Sequence, residues 1–231
     1  MENNQKNYVH KYFDENTELW TTIYKEKNLI PLIIQQREEN VINFIKSLNL
    51  KNNAKILDLG CGTGLTCEKL IKMGFNVVGL DCSKKMIDEA KKNCNFTEFN
   101  GNYEFDICDA ENLSLESNTF DVVIAMGLVE YLNFDIQAIK EMKRVVKKGG
   151  YLIITFPNRI ALSNILNPKQ LFLIIKEIFV SLIKRKEIGN IKFLNKKNSF
   201  IHHYYYPSEI LRIVKITNLK LLSFISHNFG P

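Results

Sequence analysis

The chain has 231 residues, 45% hydrophobic and 24% charged, with a formal net charge of +6. That length suits one large α/β domain with additions, and the composition suits a packed core rather than a disordered or fibrous chain. No apolar run reaches membrane-spanning length, and the N-terminus is not expected to act as a signal peptide. The five cysteines, with no Cys-x-x-Cys pair, argue against a disulfide framework or a zinc site, so no metal is expected and a cytoplasmic setting is.

Residues 1–52 read as an N-terminal helical cap. Trp20, Ile23 and Tyr24 suit one helix, Pro31 interrupts, and Ile34, Val41, Ile42, Ile45 and Leu48 form one stripe of a second. Residues 53–157 then alternate short apolar runs with helical patterns, as a doubly wound, mostly parallel sheet does. The predicted strands are Lys55–Leu59, Phe75–Leu80, Tyr103–Ile107, Phe120–Ala125 and Tyr151–Phe156; helical stretches include Leu65–Met73, Ser83–Asn93 and Ile136–Val146. Gly149-Gly150 is predicted as the turn into the fifth strand. Residues 158–206 break the rhythm and read as a helical insertion. Residues 207–231 resume it, with a helix from Pro207 to about Ile216 and a sixth strand around Leu221–Ser226.

Charge is uneven along this plan. Nine basic residues lie between Arg159 and Lys197, opposed only by Glu177 and Glu187, so a near-neutral domain carries one basic segment.

The chemistry gathers at strand ends. Ile56-Leu57-Asp58-Leu59-Gly60-Cys61-Gly62-Thr63-Gly64 closes the first strand and enters a helix. Glycines there permit a tight turn and close approach of backbone to ligand. The spacing is Gly-x-Gly-x-Gly, with Leu65 where a dinucleotide fingerprint wants its last glycine. Asp58 sits just before the turn, and a carboxylate is a poor neighbour for a pyrophosphate but a good one for a cationic ligand. Asp81 ends the second strand, about twenty residues past Gly60, where a carboxylate can take both hydroxyls of a ribose. Asp109 follows the third strand, within reach of an adenine amino group. Together these acids outline one nucleoside-shaped site.

The same residues carry a resemblance. Ile56–Gly64 resembles motif I of class I S-adenosylmethionine (SAM)-dependent methyltransferases. Val77–Ser83 with Met86 resembles the second motif, and Cys108-Asp109-Ala110-Glu111-Asn112-Leu113 the adenine loop. Phe120–Ala125 resembles the fourth strand, and Arg144–Gly150 the approach to the fifth. The resemblance implies a Rossmann-like sheet of order 3-2-1-4-5-6, apparently without the family's seventh, antiparallel strand. It implies SAM as cofactor and S-adenosylhomocysteine (SAH) as product. By resemblance Gly60, Cys61, Gly62 and Gly64 form the loop against the methionine part. Asp58 and the Met126 backbone lie near its ammonium, Asp81 binds the ribose, Cys82 and Met86 lie against ring or ribose, and Asp109 with Ala110 binds the adenine edge. Tyr12, Tyr24 and Arg37 are candidates for closing over the cofactor, with packing for the tyrosines and a surface ion pair for Arg37 as the alternative.

The acceptor is less legible. Ala125-Met126-Gly127-Leu128 follows the fourth strand, with no Asn-Pro-Pro-Tyr motif of amino-group methylation and no Pro-Cys pair of cytosine methylation. This favours a small acceptor, with O-methylation preferred. Residues 168–186 read as a largely apolar helix ending in Lys184-Arg185-Lys186, either a lid on the core or a lid that also touches anionic membrane; a nucleic-acid partner ranks last. In His202-His203-Tyr204-Tyr205-Tyr206 either histidine is a candidate catalytic base, with packing as the alternative. Glu130 and Tyr131 are further acceptor-pocket candidates. A catalytically idle SAM-binding scaffold and an NAD(P)-dependent oxidoreductase stay open as alternatives, and oligomeric state has no sequence signal.

Overall fold

A computed structural model describes residues 2–23, 29–95, 102–160, 193–194 and 201–225. Three N-terminal helices, α1 (Glu2–Glu15), α2 (Thr17–Thr22) and α3 (Leu29–Ser47), precede β1 (Lys55–Leu59), α4 (Leu65–Lys72), β2 (Asn76–Asp81), α5 (Lys84–Asn93) and β3 (Tyr103–Ile107). Then come β4 (Phe120–Ala125), a single 3₁₀ turn (Val129–Tyr131), α6 (Asp135–Val145) and β5 (Val146–Ile154). The short strands β6 (Phe193–Leu194) and β7 (Ile201–His202) pair antiparallel, and α7 (Pro207–Ile216) follows.

The five strands β1–β5 form one parallel sheet of order β3-β2-β1-β4-β5. Side-chain alternation along each strand builds two cores. Ile56, Val77, Val122 and Ile124 pack with Ile42 and Ile45 of α3 and Ile71 of α4. Leu57, Leu59, Val123 and Ala125 pack on the opposite face with Ile139 and Met142 of α6 and Ile210 and Ile213 of α7. Helices therefore cover both faces, as expected of a doubly wound sheet. β1 lies at its centre, so its residues from Ile56 to Leu59 are all buried. The strand ends that carry Asp58, Asp81 and Asp109 consequently open on one edge.

Local sequence explains the element ends. Gly64 caps α4 in the left-handed region at φ +78°, and the Ser83 hydroxyl caps α5 by accepting from the Met86 N–H at 3.1 Å. Pro207 opens α7, where its missing N–H has no helical partner to lose.

Three expectations change. Pro31 does not interrupt a helix but lies in the first turn of α3, where the N–H groups are orphans in any case. Gly149-Gly150 is not a turn ahead of the fifth strand but lies inside β5, at a register shift opposite Phe120–Val122. A Cβ at Gly150 would come within 2.7 Å of the Asp121 carbonyl, so the irregular pairing needs glycine. The sixth strand is not formed over 221–225: these residues form no strand, and Leu221, Leu222, Phe224 and Ile225 are exposed. A strand exists only through its ladder, and an apolar run alone does not supply one. Residues 168–186, expected as an apolar helix, lie outside the described residues, as does Tyr24. Among the described residues no helix is long and apolar enough to cross a membrane.

Candidate active site

The carboxyl ends of β1 to β4 open into a cavity of about 840 Å³, roofed by α1, α2 and the start of α3. That is ample for a nucleoside and a second small molecule. Of the eleven cofactor residues expected from the sequence, ten line it: Asp58, Gly60, Cys61, Gly62, Asp81, Cys82, Met86, Asp109, Ala110 and Met126. Gly64 does not. A Cβ there would come within 2.9 Å of Ala90 Cβ, so this glycine seats α4 against α5 rather than meeting a ligand.

Asp81 organises the loop. Its Oδ2 accepts the Gly62 N–H and its Oδ1 the Ser83 N–H, both at 2.9 Å. Burial pushes its carboxyl above the ordinary range, and those two N–H donors oppose the rise. Asp58 is buried and accepts the Cys67 thiol at 3.3 Å. Burial pushes it up to about 7; the Cys67 thiol opposes this, while Asp81 and Glu38 add to it. An acid destabilised in this way favours a cationic neighbour.

Lys6 of α1 reaches down to the third strand end. Its ammonium donates to Asp109 Oδ2 at 2.7 Å and lies 2.6 Å from Glu111 Oε2. Burial alone would raise Asp109, but Lys6 and the Glu111 N–H outweigh it and hold the carboxyl below its usual range. The Ser83 hydroxyl donates to Asp14 at the far end of α1. Glu38 of α3, 1% exposed, accepts the Thr66 hydroxyl and the Lys69 ammonium at 3.1 and 2.7 Å, which ties α3 to α4. Neither Lys6 nor Glu38 has a sequence signal, because a single charge on an amphipathic helix looks like surface.

Another part of the cavity lining is aromatic. Tyr131 packs edge-on against Phe13 and His202 at 5.1 and 5.0 Å between centroids, and His202 against Tyr204 at 4.9 Å. Of the two histidines only His202 lines the cavity. Burial, reinforced by His203, pushes its imidazole down to about 4. His203 does not line it: its N–H donates to the Glu130 carbonyl at 2.9 Å and its ring stacks on Tyr205. Arg37 lies over Gly127, where a Cβ would come within 3.1 Å of the guanidinium. Glu130 is 4% exposed, and burial pushes it up to about 7 against the pull of Arg37. Trp20 Nε1, Arg37 Nε and Glu130 Oε2 are buried and find no hydrogen-bond partner among the described residues. Each such atom costs about 1–3 kcal/mol.

Comparison with known proteins decides the family. A family model described as a methyltransferase domain matches residues 57–154. The ubiquinone biosynthesis O-methyltransferase of Pelagibacter ubique is 30% identical over 236 residues, covering 100% of this chain and 90% of the relative. The chain belongs to the class I SAM-dependent methyltransferases. The enzyme of the same name from Coxiella burnetii is 26% identical over 230 residues, covering 100% of this chain and 88% of its own. Among solved structures, magnesium protoporphyrin IX methyltransferase from Synechocystis with bound SAH shares the fold at a TM-score of 0.67 and 20% identity, covering 97% of this chain and 94% of that one. A SAM-dependent methyltransferase from Methanosarcina mazei aligns at a TM-score of 0.57 and 24% identity, covering 75% and 82%.

The methyltransferase uses SAM, and its cavity fits that molecule. Three carboxyls line the end where a sulfonium nucleoside with an ammonium group would lie. A Cβ at Gly62 would meet nothing within 4 Å, so the loop leaves open space beside the cavity. The family assignment sets aside the NAD(P) oxidoreductase alternative.

Proposed function

We propose that this methyltransferase places the methyl group on a phenolic hydroxyl of an acceptor with an apolar body. The observation that carries the reading is the composition of the acceptor end. Phe13, Trp20, Ile23 and Ile34 supply apolar surface, and Tyr131 and Tyr204 supply aromatic walls suited to a ring. The names of the Pelagibacter and Coxiella relatives support the same accepting atom, oxygen.

In this reading Asp81 holds the ribose hydroxyls of SAM, Asp109 and the Ala110 amide take the adenine edge, and Cys82 and Met86 border the nucleoside. Asp58 and the Met126 backbone attend the ammonium, while Gly60, Cys61 and Gly62 border the methionine chain. When bound, SAM supplies an electrophilic methyl. The protein supplies orientation and a water-poor pocket. His202 borders the acceptor ring. The division into a helical cap (1–52), a core (53–157), an acceptor lid (158–206) and a final core unit (207–231) belongs to the same proposal, as do a cytoplasmic location and contact of 168–186 with anionic membrane.

The test is transfer of label from radiolabelled SAM to decylcatechol, to unsubstituted catechol and to an alkylamine of equal chain length. The expected result is an O-methyl product and a preference of at least tenfold in kcat/KM for the alkylated catechol. Tight SAM binding without turnover of any acceptor would instead favour the idle scaffold. Co-sedimentation with anionic vesicles at low salt tests the membrane contact.

A further inference from the structure

The three unpartnered atoms Trp20 Nε1, Arg37 Nε and Glu130 Oε2 belong to residues that line one cavity. Native proteins seldom bury polar atoms unpaired, so three around one cavity indicate groups held for a ligand. Two are donors and one is a carboxylate oxygen. A hydroxyl beside another oxygen, as in a catechol, complements such a set.

Of these three residues only Glu130 can take a proton. It sits in the 3₁₀ turn that follows β4. Val129 anchors that turn in the core, and the His203 N–H holds the Glu130 carbonyl. The side chain is almost wholly buried, at 4% exposure. Among the described residues the titratable groups around it are Arg37 from α3, Tyr131 and beyond it Tyr12 from α1, Tyr204 with the adjoining His202 and His203, and Tyr205. Burial raises the tyrosines Tyr12, Tyr131 and Tyr204 above their ordinary range, so they stay neutral. Arg37 is the cation of the group.

We propose that Glu130 is the general base that takes the proton from the acceptor hydroxyl. This rests on the O-methylation reading above. Glu130 Oε2 accepts the proton as the hydroxyl oxygen forms its new bond to the methyl carbon. The carbon–sulfur bond breaks, its electron pair stays on sulfur, and the proton later leaves Glu130 for solvent. Charge is conserved, since a carboxylate and a sulfonium become a carboxylic acid and a thioether. A base is most effective when its pKa lies near working pH, and Glu130 at about 7 meets that condition. His202, pushed down to about 4, is a much weaker base and serves as a wall of the ring pocket.

The test compares wild type, Glu130→Gln and Glu130→Asp with decylcatechol and with nitrocatechol, whose more acidic hydroxyl is largely ionised at pH 8. With decylcatechol, Glu130→Gln should lower kcat by about 10²-fold or more. It should also abolish the rise of kcat with pH centred near 7. SAM affinity by calorimetry should stay within a few-fold. With nitrocatechol the loss should be less than tenfold, because little proton transfer remains to be done. Glu130→Asp keeps a carboxylate and guards against a folding defect, so it should retain a pH-dependent rise. Equal losses with both catechols, or an intact pH rise in Glu130→Gln, would overturn the assignment. A flat profile in an active, SAM-binding Glu130→Asp would do the same. Wild-type protein that methylates neither catechol overturns the reading beneath it, and the proposal with it.

Discussion

Replacing Gly64 by alanine places a methyl group 2.9 Å from Ala90 Cβ and 3.1 Å from Ala90 Cα, at a backbone φ of +78°. Two costs add. The left-handed conformation costs an alanine about 1–2 kcal/mol, and prising α4 from α5 adds about 1–3 kcal/mol. For a chain of this size the sum of roughly 2–5 kcal/mol lowers Tm by about 4–20 °C. Gly62→Ala is the control. It carries the same kind of strain at φ +54° but meets nothing within 4 Å, so its stability cost stays at about 1–2 kcal/mol. Its methyl instead lies beside the cavity, and SAM should bind at least tenfold more weakly. Scanning calorimetry of both variants without ligand, followed by SAM titration at low temperature, separates the effects. Equal destabilisation by the two substitutions would refute the packing role of Gly64. So would a folded Gly64→Ala that no longer binds SAM.

Binding of SAM should strengthen between pH 6 and 8. Asp58 sits near 7 without ligand and is drawn to its charged form by a cation, so affinity is full above that value and falls below it; titrations at three pH values check this. Glu130 is raised from 4.5 to about 7 by folding, so the folded state binds more protons between those values and stability falls as pH rises through them. The loss is on the order of 3 kcal/mol. Urea unfolding at pH 5 and pH 8 should show a smaller loss for Glu130→Gln than for wild type, Asp58 keeping its own share of the fall. Gly127→Ala, at φ +68° beneath the Arg37 guanidinium, should cost about 1–2 kcal/mol of stability. It should also reduce methyl transfer as Arg37 is displaced, read by calorimetry and turnover together.

Much of this was legible because strand ends are chemically marked. Lys55–Leu59, Tyr103–Ile107 and Phe120–Ala125 hold as strands because each is a short stretch of continuous or alternating apolar residues bounded by turn residues. The acids at or just past the carboxyl ends of the first three strands share a cavity because a parallel sheet aligns those ends. What the sequence hides is what depends on a distant partner. Gly64 reads like Gly62 until Ala90 is seen behind it. Gly149-Gly150 reads as a turn until its pairing with β4 is known. Leu221–Ile225 reads as a strand because hydrophobicity registers without its ladder. Glu130 was visible as a pocket candidate, but its lack of a partner is a property of space, and Lys6 was indistinguishable from any solvated lysine.

Helix α1 is fastened at two points about 12 Å apart along its axis, at Lys6 and at Asp14. Those points attach to the segments that follow β3 and β2, the two strands whose ends would grip adenine and ribose. The roof that α1 makes over the cavity therefore rests on contacts that are partly ionic. Added salt weakens such fastenings before it touches the buried sheet, so the hold of this helix over the site is tied to the ionic strength around the protein.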